Sequence, residues 1–260
     1  MPDTAIIQAF RAIDLAGLEA GSGMLRRLDH KYVIAAPALQ RMLERCLPLF
    51  DVLEIDGMRS FTYDTRYFDD PEHTSYLDHL RGRRRRYKVR VRRYLEARLC
   101  FVEVKLKDKR GITVKRRLEH PYALYGQLDE RARRFVRETC EDFYGPGFAR
   151  PLAPTVEMRY RRTTLVARTG GERATIDAEL VFEGSRGRRA VGDRLFIVET
   201  KSANGHGLAD RILRSLHQHP TPGCSKYCTA LAALREVDRR NRFIPALRRL
   251  GLLEPGAVVG

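Results

Sequence analysis

Tryptophan is absent from the 260 residues, so stacking on a base or sugar would fall to tyrosine, phenylalanine or arginine. Cysteine is scarce and scattered: Cys46, Cys100, Cys140, Cys224 and Cys228, with only the last two close together, in a C-x3-C spacing. An odd number without a second pair argues against a disulfide framework or a zinc site, and reduced thiols are the default. No apolar run approaches the ~20 residues needed to span a bilayer. The opening MPDTAIIQAFRAIDLAGLEAG lacks the charged start and apolar core of a secretory leader, so a soluble, cytoplasmic protein is expected. The phosphate-binding loops G-x-x-x-x-G-K-[ST] and G-x-G-x-x-G are missing. The stretch from Ser202 to Gly207 reads as a turn into a helix, His217 and His219 as surface residues, and no Ser–His–Asp set can be defined. Acidic residues are outnumbered, 33 Asp and Glu against 49 Lys and Arg, a formal charge of +16. That balance calls for an anionic partner, whether nucleic acid, phosphates or a membrane surface.

The excess charge is concentrated. Between Arg81 and Arg93, nine of thirteen residues are Lys or Arg, and they alternate with apolar residues. Lys88, Arg90 and Arg92 take one face of a strand, and Val89 and Val91 the other. After a turn near Glu96 the pattern resumes, with Glu103, Lys105 and Lys107 opposed to Cys100, Val102, Val104 and Leu106. A β-hairpin with one apolar and one cationic face is expected. Like charges two residues apart on a strand sit roughly 7 Å from each other. Their repulsion is on the order of 2 kcal/mol per pair at an effective dielectric near 20, which a bound polyanion would offset.

Along the rest of the chain, Thr4–Ala20 reads as an amphipathic helix ending at Gly21-Ser22-Gly23, followed by a strand over Arg26–Ile34. Pro37 starts a helix through Leu47. Strands over Asp51–Ile55 and Ser60–Phe68 join at the turn pair Asp56-Gly57. A short strand over Ile112–Arg117 follows the hairpin, and Pro121 opens a long helix to about Phe143, stopped by Gly145-Pro146-Gly147. Further strands are expected at Glu157–Ala167, Arg173–Phe182 and Arg194–Lys201. A helical last quarter from Leu208 is interrupted by Pro245 and frays after Leu252. Many strands and no βαβ alternation favour an α+β fold with an antiparallel barrel or curved sheet.

Asp29-His30-Lys31, Glu103-Val104-Lys105 and Glu199-Thr200-Lys201 each place an acid and a lysine on one strand face, and Arg173, Thr175, Asp177 and Glu179 form a comparable polar face. Alternation alone fits two arrangements: a sheet whose polar side meets water, or a barrel whose polar sides share a lumen. The second would suit phosphoryl chemistry, with cations to neutralise phosphates and carboxylates to hold a divalent metal.

An ordered set of segments then points to a family: Arg27–Val33, Tyr63–Asp69, Tyr76–His79 with Gly82-Arg83, Lys88–Tyr94, Phe101–Lys105, Tyr160–Thr163, Arg173–Leu180, Glu199–Lys201 and Ser225–Tyr227. In this order the chain resembles the VTC domain, the catalytic domain of the fungal vacuolar transporter chaperone polyphosphate polymerase, which also occurs as stand-alone bacterial proteins. That domain belongs to the triphosphate tunnel metalloenzymes, related to CYTH proteins. The resemblance implies a closed eight-stranded antiparallel β-barrel, the tunnel, over residues 25–240. An N-terminal helix would occupy residues 1–24, and a C-terminal helix and tail residues 241–260. It implies that Lys31, Arg90, Arg92, Lys105, Arg162 and Lys226 form the phosphate-binding catalytic set. Ser225, Arg173, Lys201 and Glu103 would assist at the substrate, and Glu199 would bind Mn²⁺ or Mg²⁺. The implied activity moves the γ-phosphate of ATP onto inorganic polyphosphate, with product leaving through the tunnel. The alternatives are a metal-dependent triphosphatase or other CYTH-type enzyme, or a non-catalytic module binding polyphosphate or RNA. Where related hydrolases carry E-x-E-x-K on the first strand, this chain has Arg27, Asp29 and Lys31, an exchange of acid for cation that favours the polymerase branch.

Overall fold

The computed structural model describes residues 4–20, 28–107 and 113–253. Chain order begins α1 (Thr4–Gln8), β1 (Arg11–Ile13), α2 (Leu15–Ala20), β2 (Leu28–Ala35), α3 (Ala36–Cys46), β3 (Phe50–Leu53), β4 (Phe61–Asp69) and α4 (Thr74–Leu80). The hairpin β5 (Arg86–Tyr94) and β6 (Leu99–Lys107) leads to β7 (Thr113–Glu119) and α5 (Glu130–Tyr144). Then come β8 (Ala153–Ala167), β9 (Arg173–Gly184), β10 (Gly187–Ala190) and β11 (Leu195–Ser202), and finally α6 (Leu208–Ser215), α7 (Lys226–Ala233) and α8 (Ile244–Arg249).

The strands form one sheet with the hydrogen-bonded path β2-β11-β9-β8-β4-β5-β6-β7. Every pairing along that path is antiparallel. Strand β10 extends β9, and β3 continues along β8 and carries β1 in parallel. No ladder among the described residues joins β7 to β2. The closed barrel expected from the sequence is therefore corrected to a curved eight-stranded path with a seam between its two end strands. Alternation assigns each side chain a face; it carries no information on whether edge strands meet.

The apolar side of the hairpin behaves as its spacing predicts. Val89, Val91, Val102, Val104 and Leu106 pack under α5 with Leu128, Ala132 and Val136. On the other half of the sheet, Tyr32, Ile34, Ile176, Phe196 and Val198 pack against α3 and α6 through Leu39, Leu43 and Leu213. A third cluster lies on the opposite side of the sheet. There Val33, Met158, Tyr160, Leu180, Phe182 and Ile197 surround α7, whose eight residues are all buried, with α8 outside it. The face that carries Lys31, Arg162 and Glu199 is thus apolar at one end, two residues further along each strand, and α7 fills that end.

Four local expectations change. The N-terminal segment is broken into α1, β1 and α2 because Arg59 Nη1 donates to the carbonyls of Ile7, Gln8 and Phe10 at 2.9, 2.9 and 3.0 Å. The Arg11 guanidinium also holds the chain to Asp51 on β3 (Nε–Oδ1 2.9 Å). The turn at Asp56-Gly57 forms and closes an Ile55–Met58 bridge, but β3 and β4 lie end to end along β8. Past Pro121 the chain makes only a 3₁₀ turn over Tyr122–Leu124, and α5 starts where Asp129 caps it by accepting from Ala132 N at 2.8 Å. Pro245 sits in the first turn of α8, a position that tolerates a missing N–H, and so opens a helix instead of interrupting one. Arg26, Arg27 and Ile112, and the tail beyond Leu253, lie outside the described residues.

Candidate functional site

The polar face is built by direct cross-strand partners. Lys88, Arg90 and Arg92 on β5 lie opposite Lys105, Glu103 and Phe101 on β6, and Glu199 on β11 lies between Lys31 on β2 and Thr175 on β9. Arg162 on β8 is opposite Asp177 on β9. The two halves lie within reach of each other's charges. The charge of Lys105 acts on Glu199, and that of Lys31 acts on Lys105, although the strands carrying them are far apart along the sheet.

Each cation has a defined setting. Arg90 donates Nε to Glu103 Oε2 (2.7 Å) and Nη1 to the Tyr67 hydroxyl (3.1 Å). Among the described residues Arg92 bonds neutral oxygens, Thr65 Oγ1 at 3.1 Å and the Tyr160 hydroxyl at 2.6 Å, and its guanidinium lies 5.2 Å from the Tyr63 ring centre. Arg162 holds both oxygens of Asp177 and packs on Tyr63 and Tyr160, and Lys226 at the start of α7 reaches the same carboxylate. Lys31 Nζ is 3.8 Å from Glu199 Oε2, and Lys201 contacts the other oxygen. Lys88 Nζ bonds His79 Nδ1 at 2.7 Å and Ser225 Oγ at 2.8 Å. Arg92 and Lys226 are 4 % and 8 % exposed, so these are buried charges rather than solvated ones.

The carboxylates are outnumbered, and their ionisation shows it. Burial opposes charge on Glu199, yet Lys31, Lys201, Lys226 and Lys105 outweigh it and hold the group well below the usual range. Glu103 behaves the same way under Arg90, Arg92 and Lys115. Lys105 is the converse case: the Arg90 charge first, and burial second, push its amine well below the ordinary lysine value. Burial and the nearby charges of Lys88 and Arg86 push His79 far down, so its ring is neutral and Nδ1 accepts from Lys88.

A family model of the VTC domain matches residues 26–235. The chain belongs to the VTC-domain family. Among solved structures, a candidate adenylate cyclase from Bacillus halodurans is 11% identical, with 77% of this chain and 95% of that one covered and a TM-score of 0.50. A candidate adenylyl cyclase from Hippeastrum, described as having a dominant triphosphatase activity, is 14% identical over 83% of this chain and 99% of that one, with a TM-score of 0.47. No curated protein matches.

In this VTC-domain protein Lys31, Arg90, Arg92, Lys105, Arg162, Lys226, Lys201, Glu103 and Glu199 all lie on the one polar face, and Ser225 borders it through Lys88. Arg173 lies beside Lys201 in register on that face, and its Nη2 donates to the carbonyl of Leu18 at 2.6 Å. Five residues outside the implied site set also contribute. Asp177 restrains Arg162 and Lys226, Lys88 links the hairpin to α7, and Tyr63, Tyr67 and Tyr160 form an aromatic bed for the guanidinium groups. Lys88 was detectable, since it shares its strand face with Arg90 and Arg92; the tyrosines were hidden among ordinary strand aromatics.

No group of three or more His, Cys, Asp or Glu among the described residues forms a metal cage. Asp177 and Glu103 are committed to arginine. Glu199 is likewise engaged, by Lys31 on one oxygen and Lys201 on the other, and is the carboxylate of the polar face that no arginine holds.

Proposed function

We propose that this protein is a divalent-metal-dependent phosphotransferase that lengthens inorganic polyphosphate with the γ-phosphate of ATP. The observation that carries the reading is Arg92: a buried guanidinium on the polar face with no carboxylate in hydrogen-bond contact among the described residues, fixed by Thr65 and Tyr160, with the Arg90 charge close by. Keeping such a group charged inside a fold is costly unless an anion completes it. A chain of phosphates supplies one charge per unit and no hydrogen-bond donor that cations would repel.

The chemistry asks little more of the residues. The terminal phosphate of a polyphosphate chain is already an anionic nucleophile, so positioning and charge neutralisation are the main tasks. Arg90, Arg92 and Arg162, locked by tyrosines and carboxylates, would orient phosphate oxygens. Lys31, Lys105 and Lys226 would meet the charge spread over the transferred group. Glu199 would hold the divalent metal, whose charge would help neutralise the phosphates. Domain limits of 25–240 and a cytoplasmic location belong to the same proposal. No helix among the described residues is long and apolar enough to cross a membrane.

The test is incubation of the pure protein with ATP and Mn²⁺. Acid-labile phosphate chains with ADP support the reading. Orthophosphate without chains would mark a triphosphatase instead, an outcome the retained Asp29 on the first strand leaves room for.

A further inference from the structure

Buried threonine hydroxyls in this fold generally have a partner. Thr65 Oγ1 accepts from Arg92, Thr200 Oγ1 donates to Asp210 at 2.7 Å, and Thr221 Oγ1 accepts from the amide of Val33 at 3.0 Å. Among the described residues three buried side-chain polar atoms have none: Arg66 Nε, Thr175 Oγ1 and Thr229 Oγ1. Arg66 still holds Glu157 through Nη2, and Thr229 lies within α7. Thr175 differs from both, because it stands on the polar face of the sheet. It shares one side of β9 with Arg173 and Asp177 and is 5 % exposed. Across the sheet it lies between Thr164 on β8 and Glu199 on β11, with Lys31 next beyond Glu199, so that four neighbouring strands contribute to one row. Its diagonal neighbours are Arg162 on β8 and Lys201 on β11. Diagonal positions lie about 7–8 Å apart, within reach of long side chains.

What these surroundings lack is an acceptor. Arginine and lysine side chains only donate. Glu199, opposite the hydroxyl, is held by Lys31 on one oxygen and Lys201 on the other, and Asp177 is held by Arg162 and Lys226. A buried hydroxyl left unpaired is destabilising, and an anionic oxygen placed among the cations would remove that penalty. We infer that Thr175 is a phosphate-binding residue, its hydroxyl donating to a non-bridging phosphate oxygen whose charge is met by Arg162 and Lys201. The inference rests on the polar face being a phosphate site, and it adds an uncharged donor from β9 to a set of cations. A hydroxyl suits this place because it donates to phosphate without the repulsion that a further cation would bring against Arg162 and Lys201.

The test uses the full chain and tripolyphosphate, titrated calorimetrically in EDTA, together with urea unfolding of the ligand-free protein. T175V exchanges the hydroxyl for a methyl of similar size. Its affinity should fall about tenfold, the scale for one hydrogen bond to a charged group. Its ligand-free midpoint should hold or rise, since an unpaired polar group has left the interior and valine suits a strand. T175A, which adds no methyl beside Glu199, should repeat the loss of affinity. T175S keeps the hydroxyl and should bind within about threefold of wild type. A merely structural threonine would behave in the opposite way: T175V would unfold more easily and bind as well as wild type, which overturns the inference and leaves a buried water as the partner of the hydroxyl. A loss seen with Mn²⁺ but absent in EDTA also overturns it, because the hydroxyl would then serve the water shell of the metal. Wild-type protein that binds no tripolyphosphate sinks the phosphate reading as a whole, whereas normal wild-type binding that is undiminished in T175V and T175A sinks the role of the hydroxyl alone.

Discussion

Arg162 and Asp177, opposite one another on β8 and β9, are joined as a two-pronged pair, Nε to Oδ1 at 2.6 Å and Nη2 to Oδ2 at 2.9 Å. Lys226 shares the carboxylate, so one buried anion fixes a guanidinium from the sheet and an amine from α7. Burial raises the Asp177 pKa, but Arg162 and Lys226 overcome it and hold it at about 2 against an ordinary 3.8. Because the folded value is the lower one, this stabilisation is complete above the unfolded value and is lost as pH falls from about 4 towards 2. Urea unfolding across that window should show the wild type losing stability and D177N losing less. At neutral pH, D177N should cost about 3–5 kcal/mol, the scale for a buried ion pair stripped of one partner. A D177N midpoint equal to wild type would remove Asp177 as the organiser of the site.

Glu199 is the carboxylate assigned to the metal, and its neighbours Lys31 and Lys201 define a second outcome. E199Q keeps the shape and removes the charge. Synthesis in Mn²⁺ should fall by about a hundredfold or more, in line with the loss of several kcal/mol of charge stabilisation from a metal-assisted step. Circular dichroism should be unchanged, and metal-free binding of tripolyphosphate should hold or tighten, because an anion next to the phosphates has gone. Parallel loss of fold and activity would leave Glu199 with a structural role only.

How far the sequence showed all this depends on the element. The hairpin was legible because period-two alternation in Lys88–Arg92 and Cys100–Lys107 maps directly onto two faces, and both faces are where alternation puts them. The strands Glu157–Ala167, Arg173–Phe182 and Arg194–Lys201 were legible for the same reason. Helix α7 was not. Its sequence KYCTALAA is small and apolar all round, so no stripe betrays a face, and a helix buried on every side looks like any short apolar run. The seam was equally hidden, because edge pairing depends on curvature summed over eight strands. The segmented N-terminus turned on Arg59, a single side chain some 50 residues away that captures three carbonyls.

Arg92 offers the cleanest measure of phosphate binding, since among the described residues no carboxylate hydrogen-bonds to it. R92M keeps much of the stem and its packing on Tyr63 while deleting the charge. Tripolyphosphate affinity should drop by about 10- to 100-fold, the equivalent of one charge-assisted contact of ~1.5–3 kcal/mol. Thermal stability without ligand should hold or rise, because a desolvated cation has been replaced by an apolar group. R92K should not restore full affinity, as an amine cannot reproduce the planar fork between Thr65 and Tyr160. An R92M protein that binds as well as wild type would place the phosphates elsewhere on the face.

Lys105 links binding to protons. Arg90 is the largest influence on its amine, followed by burial, and both favour the neutral form, with Lys31 adding to the repulsion. A bound polyanion reverses the balance by favouring the ammonium, so ligand uptake should draw a proton from solution. The sign follows: affinity for tripolyphosphate should fall as pH rises above the free-state pKa of Lys105, before ordinary lysines begin to titrate. Calorimetric titrations in two buffers of different ionisation enthalpy should give different apparent heats for the wild type. For K105M, which has no amine to protonate, the heats should converge. Wild-type heats independent of buffer would mean that Lys105 is already charged in the free protein, and that the cations around it tolerate their repulsion without help from a ligand.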